Sequence, residues 1–230
     1  MGLIDSHCHL DHFAEDRAAV IARARAAGVS HMVTICTRVR RFAEIAAIAE
    51  AEPDISCTVG THPHQAAEEA DVALAELLEL ARHPKVVGIG ETGLDYYYDH
   101  SPRDVQQAAF RMHIRACLET GLPLIVHTRD ADDDTARILR EEGAGQGLRG
   151  VLHCFSSGRA LAEAGLEMGF HISLSGMVTF GKAEEIRAIV RDVPLDRLLV
   201  ETDAPYLAPP PRRRSPRASR PRPPSGAGRA

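Results

Sequence analysis

Two histidines one residue apart are the first residues in the chain able to do chemistry. In Asp5-Ser6-His7-Cys8-His9-Leu10-Asp11, a β-strand would point His7 and His9 to one side and Cys8 to the other. Two imidazoles converging from one strand can bind a divalent ion, though a pair of satisfied core histidines has the same spacing. Four later runs add to the set. Val86–Gly90 ends at Glu91, Leu124–Thr128 carries His127, Gly150–Cys154 carries His153, and Leu198–Thr202 leads into Asp203. Each of these residues falls at the C-terminal end of a strand-like run. Buried imidazoles and carboxylates are costly without partners, and a metal centre satisfies them together. Four His, one Glu and one Asp exceed what one tetrahedral ion takes and suit two. Glu91 would bridge the ions. His7, His9 and Asp203 would complete one site, and His127 with His153 the other. Two such ions can share a hydroxide and clamp the attacking and leaving oxygens of an ester. Asp203 is the candidate to orient that water and accept its proton. Mg, Mn and Zn all remain open as the metal.

The elements that must position these groups are legible as strands alternating with helices. Strand-like runs cover Leu3–His9, His31–Thr37, Ile55–Thr61, Val86–Gly90, Leu124–Thr128, Gly150–Cys154, His171–Ser175 and Leu198–Thr202. Helical apolar spacing marks Ala14–Ala27, Val72–Ala81, Val105–Glu119, Thr135–Glu142 and Glu184–Arg191. Gly28, Gly121 and Gly143 stand where helix C-caps belong. This α/β pattern implies a parallel sheet, and eight strands fit a (β/α)8 TIM barrel. The eighth strand should be followed by an eighth helix, yet Ala204-Pro205-Tyr206-Leu207 leads into closely spaced prolines that preclude one. The expectation is a barrel domain over 1–208 lacking its last helix, with apolar outer faces exposed and a tendency to self-associate.

The charge divides at the same place. Of the 230 residues, 27 are basic and 32 acidic, a formal net of −5. Residues 209–230 hold seven Arg, seven of the 14 Pro, and no acid, which leaves the remainder at −12. The tail reads as disordered. Its composition is that of an out-of-frame reading of a GC-rich gene, and the body uses only Lys85 and Lys182 beside its arginines. Seven arginines would also suit a phosphate backbone. Two bound divalent ions would reverse the local field of the acidic body at the site. Five scattered cysteines, never in CxxC, argue for a reducing compartment and a cytoplasmic location. No apolar run is long enough for a membrane helix, and no signal peptide is visible.

Other motifs carry less. Gly88-Ile89-Gly90-Glu91-Thr92-Gly93 matches GxGxxG, but no helical period follows the third glycine, so no nucleotide cofactor is expected. His62 and His64 follow the third strand, either as substrate contacts or as a turn around Pro63. Arg129, two residues past His127, could hold a phosphate or lie free on the surface. Glu201 shares a face with Asp203 and is a candidate supporting partner or weak ligand. Tyr96, Tyr97 and Tyr98 could stack on a base or pack under their loop. Asp132-Asp133-Asp134 reads as a helix start.

The segment from Asp5 to Asp11, Gly90-Glu91-Thr92-Gly93-Leu94-Asp95-Tyr96 and Glu201-Thr202-Asp203-Ala204-Pro205-Tyr206-Leu207 closely resemble the three signature segments of the TatD family of metal-dependent deoxyribonucleases. Gly60-Thr61-His62-Pro63-His64, Val126–Ala131 and Leu152–Ser156 resemble further family blocks in the same order. The resemblance spans about residues 3–207. It implies a TIM barrel of the metallo-dependent hydrolase type. It also implies metals at His7, His9, Glu91, His127, His153 and Asp203, and a phosphate contact at His62. The implied activity is hydrolysis of DNA phosphodiesters at single-stranded or nicked ends. Two alternatives stay open: the same centre acting on another ester such as aminoacyl-tRNA, and an inactive truncated barrel. Ser157 stands where the family usually has Gly, and the tail replaces the family's closing helices.

Overall fold

The structure is a computed structural model, described here over residues 2–210. Strands rich in Val, Ile and Thr form β1 (Leu3–Cys8), β2 (Val29–Thr34), β3 (Ile55–Val59), β4 (Val86–Asp95), β5 (Leu124–Arg129), β6 (Gly150–Leu152), β7 (His171–Leu174) and β8 (Leu198–Val200). They pair in parallel, each with the next in sequence, in one sheet ordered β1 to β8. The intervening helices are α1 (Arg17–Ala26), α2 (Phe42–Glu50), α3 (Leu74–Leu80), α4 (Arg103–Thr120), α5 (Asp132–Gly143), α6 (Arg159–Glu167) and α7 (Glu184–Val190). This is the TIM-barrel architecture expected from the alternation. The core lies between the sheet and its helices. Phe110 and Ile114 of α4, Leu77 of α3 and Ile138 of α5 are fully buried there, with Ile89 and Leu124 on the strands. Truncating Phe110 to Ala would cost about 3–5 kcal/mol in such a setting.

β1 and β8 do not pair through a regular ladder, and the barrel closes by other means. The backbone N–H of Asp203 donates to the His7 carbonyl at 2.9 Å, and that of His9 to the Ala204 carbonyl at 2.8 Å. The buried Asp5 carboxylate accepts the Thr202 N–H at 2.9 Å and the Thr202 hydroxyl at 2.6 Å. Asp5 thus supplies the acceptor that a strand carbonyl would supply elsewhere.

Three sequence expectations need adjustment. Gly121 caps α4 in the left-handed conformation, and Gly28 follows α1 with φ +93°. Gly143 does not act as such a cap: it is the last residue of α5, close against Leu148, and the left-handed residue is Gly145. β4 does not stop at Gly90 but continues to Asp95. β2 runs from Val29 to Thr34 rather than from His31 to Thr37, and Leu3 and Ile4 on β1 are exposed, as is Val200 on β8. Among the described residues no helix follows β8 to cover them. The expected tail begins with exposed Pro209 and Pro210, and 211–230 lie outside the described residues. No described helix is long and apolar enough to cross a membrane.

Candidate metal centre

Glu91 stands at the centre of the histidine cluster at the mouth of the barrel, shared by two of its groupings. Its backbone N–H donates to the Cys36 carbonyl, and its side chain is buried at the C-terminal end of the barrel. Gly90 and Gly93 flank it with φ of +132° and +137°. A Cβ at Gly93 would lie 2.0 Å from the His127 carbonyl oxygen, so only glycine lets β4 approach β5 this closely. The GxGxxG match therefore lies wholly within a strand, and no helix opens at its third glycine.

The two carboxylate oxygens of Glu91 face different groups. Oε2 lies 3.3 Å from His7 Nε2. Oε1 lies 2.9 Å from His127 Nδ1, 3.1 Å from His153 Nε2 and 3.4 Å from His62 Nε2. Asp203 Oδ1 lies 3.3 Å from His9 Nε2 and 3.7 Å from His7 Nε2. The structure therefore brings all six expected residues to one place. His153 stands between the two halves, because its ring stacks on His7 with centroids 3.6 Å apart while it also faces Glu91. Donor atoms of His7, His9 and Glu91 lie within 4.8 Å of one another, as do those of His7, His153 and Asp203, and those of His62, Glu91 and His127.

Hydrogen bonds on the far side of each ring decide which nitrogen is free to bind. His153 Nδ1 donates to Glu201 Oε1 at 2.9 Å, leaving Nε2 with a lone pair toward Glu91. His127 Nε2 donates to Asp95 Oδ2 at 3.1 Å, leaving Nδ1 with a lone pair toward Glu91. Lone pairs aimed at a carboxylate oxygen repel it unless a proton or a cation lies between. Both ring nitrogens of His7 and Nδ1 of His9 are buried without a hydrogen-bond partner. This donor set fits divalent ions: a carboxylate behind His127 and one behind His153 fix their tautomers, and the unpartnered nitrogens of His7 and His9 lack any other buried partner.

His62 behaves differently. Its Nδ1 accepts the His64 backbone N–H at 3.1 Å, so the proton of the neutral ring sits on Nε2. Burial pushes its pKa down to about 4, so the ring is neutral. A nitrogen that carries a proton is a donor, not a ligand. His62 thus caps the turn around Pro63, one of the two readings its sequence position allowed, and turns Nε2–H toward Glu91 beside His127.

The electrostatics follow the same arrangement. Burial alone would raise the Glu91 carboxyl, but the neighbouring histidines, His153 foremost and His127 by its hydrogen bond, outweigh it and hold it well below its ordinary value. Burial pushes His153 down, yet Glu201 and Glu91 raise it well above its ordinary value. His127, opposed by burial, is raised by Asp95 and Glu91. The cluster draws positive charge into a buried place.

Asp95 is the residue that sequence reasoning missed. Its buried carboxylate takes His127 Nε2 and His64 Nε2 on Oδ2, and the backbone N–H groups of Tyr97 and Tyr98 on Oδ1. Gln106 holds its backbone from both sides. Glu201 has the supporting position expected of it, behind His153. Arg129 is exposed on the wall of the cavity, its guanidinium 4.0 Å from the Tyr97 ring centroid. Asp203, 14% exposed, lies at the base of the same cavity of about 1360 Å³. Tyr96 packs with its hydroxyl donating to Asp134, while Tyr97 and Tyr98 stay exposed. Asp132–Asp134 form the first turn of α5, as expected.

Comparison with known proteins places this geometry. A sequence model described as TatD related DNase matches residues 4–222. The chain is 44% identical over 218 residues to an uncharacterized metal-dependent hydrolase, YcfH of Escherichia coli K12, covering 93% of this chain and 81% of that protein. It is 39% identical over 199 residues to the 3'-5' ssDNA/RNA exonuclease TatD of a Rahnella strain, covering 86% and 75%. The crystal structure of YJJV, a TatD homolog from Escherichia coli K12, superposes with a TM-score of 0.82 at 32% identity, covering 89% of this chain and 80% of that one.

Proposed function

As the chain belongs to the TatD family, we propose that it is a metal-dependent hydrolase cleaving phosphodiester bonds of DNA at single-stranded or nicked ends. The carrying observation is Glu91, with one oxygen toward His7 and the other toward His127 and His153. A carboxylate presented in this way suits two divalent ions, Mg, Mn or Zn. His7, His9 and Asp203 would hold one, His127 and His153 the other, and Glu91 both. When bound, the ions supply positive charge that activates water and stabilises the charge developing on the phosphoryl oxygens.

The chain's own groups do the rest. Asp203 Oδ1 lies beside the cavity and can accept a proton from an attacking water. The Nε2–H of His62 points into the cluster and can donate to an anionic oxygen of the substrate. Glu201 and Asp95 keep His153 and His127 in the tautomers that present lone pairs to the site. The name of the Rahnella relative supports a nucleic-acid substrate.

The test is an end-labelled single-stranded oligonucleotide incubated with the purified chain and Mg²⁺ or Mn²⁺. Progressive release of nucleotides is expected, abolished by His127→Ala and by Asp203→Ala. Cleavage that survives both substitutions overturns the assignment. Hydrolysis of aminoacyl-tRNA but not DNA would keep the centre and change the ester.

A further inference from the structure

We infer that Arg129, seated on Tyr97 and Tyr98 at the lip of the cavity, is a subsite for the backbone phosphate next to the scissile one. This rests on the phosphodiesterase reading above and adds to it a preference for strands over isolated phosphodiesters. Arg129 follows the proposed ligand His127 by two residues on β5, a span of about 6.6 Å. That is comparable with the separation of neighbouring phosphates along an extended strand.

The charge of Arg129 is held in place but not neutralised. Among the described residues, Arg38, Arg103, Arg111 and Arg137 each have a carboxylate partner, while Arg129 has none. Instead its guanidinium lies 4.0 Å from the Tyr97 ring centroid and 4.8 Å from that of Tyr98. Aromatic contact of this kind fixes an arginine while leaving its N–H edge free for a phosphate. A group already fixed loses less entropy on binding.

The seat of Arg129 is itself tied down. The Tyr97 and Tyr98 amides donate to Asp95 Oδ1 at 3.1 and 2.8 Å. The Tyr98 ring lies parallel to His100 with centroids 5.4 Å apart, and meets His64 edge-on at 5.3 Å. Yet Tyr97 and Tyr98 are 57% and 48% exposed, so core packing does not account for them. The first turn of α5 puts carboxylates on the same wall. Of these, Asp132 accepts the Gly158 N–H and Asp134 is tied to Arg137. Asp130 and Asp133 line the same cavity, so Arg129 is the basic group on an otherwise acidic stretch of wall.

The test uses the full chain loaded with Mn²⁺ and two probes. One is a phosphorothioate single-stranded oligodeoxynucleotide that resists hydrolysis, its binding followed by fluorescence anisotropy. The other is the comparison of hydrolysis of a normal oligonucleotide with that of bis(p-nitrophenyl) phosphate, which has no neighbouring phosphate. Arg129→Met should weaken oligonucleotide binding about tenfold and flatten its salt dependence by about one counterion. It should lower oligonucleotide hydrolysis far more than bis(p-nitrophenyl) phosphate hydrolysis. Tyr97→Leu, which keeps the charge and removes its seat, should shift binding in the same direction by less. Unchanged binding and salt dependence in Arg129→Met overturns the inference, as does an equal loss on both esters. If the wild-type protein hydrolyses neither ester while the binding changes appear, the phosphodiesterase reading fails and the phosphate subsite stands.

Discussion

Asp95 holds His127 by one ring nitrogen and so aims the other at Glu91. The His127 Nε2 lies 3.1 Å from Asp95 Oδ2, and its Nδ1 lies 2.9 Å from Glu91 Oε1. The same carboxylate fixes the loop that seats Arg129. The proposed metal centre and the proposed phosphate subsite therefore share one anchor, Asp95.

Replacing Asp95 by Asn should lower metal affinity by about 10- to 100-fold, the usual cost of losing a group behind a ligating histidine. Competition with a chromophoric chelator measures it. An unchanged affinity would confine Asp95 to ordering its loop.

His62 should separate catalysis from metal binding. His62→Ala is expected to reduce kcat by about 100-fold while metal content stays at the wild-type level. Elemental analysis of the purified variant decides the point. A loss of bound metal would make His62 a ligand and contradict the tautomer read from its bond to the His64 amide.

The seam between β1 and β8 should depend on Asp5. Removing the carboxylate leaves the Thr202 N–H and hydroxyl without the acceptor that closes the barrel. Asp5→Ala should cost about 2–3 kcal/mol and lower Tm by several degrees. A melt superimposable on wild type would show that the bonds from Asp203 and His9 close the barrel alone.

Acid stability should carry the mark of His113. This fully buried ring donates from Nδ1 to the Ala109 carbonyl and accepts the Thr61 N–H on Nε2, so it must be neutral. Burial pushes its pKa down to about 4, against 6.5 in the unfolded chain. Between these values the unfolded state binds a proton that the native state does not. Stability is then fully present above about pH 6.5 and is lost as pH falls toward 4, by up to about 3 kcal/mol. Urea midpoints across this interval measure it, and His113→Gln should flatten the slope. An equal slope in the variant would assign the acid lability elsewhere.

Most of the candidate site was legible because its groups lie on or just after the C-terminal halves of parallel strands, where sequence order becomes convergence in space. His7, Glu91, His127, His153 and Asp203 could be named without knowing any side-chain contact. Asp95 could not, because the strand was read as ending at Gly90. The glycines that let β4 pass close to β5 look like a turn in one dimension. The signal was present all the same: Glu91, Gly93 and Asp95 alternate along one face. The bond from the His64 amide to His62 Nδ1 belongs to the turn around Pro63, which the His-Pro-His spacing offered as one of two readings without choosing between them. Gly143 was misjudged for a related reason: it is small to fit Leu148, not to turn left-handed.

In the proposed centre Glu91 would serve two ions at once. The most direct measurement is the number of Mn²⁺ bound per chain, counted by elemental analysis after dialysis, for wild type and Glu91→Ala. About two ions in the wild type and a loss of both in the variant are expected. A wild-type chain that binds no Mn²⁺, or a Glu91→Ala chain that keeps two, would contradict it.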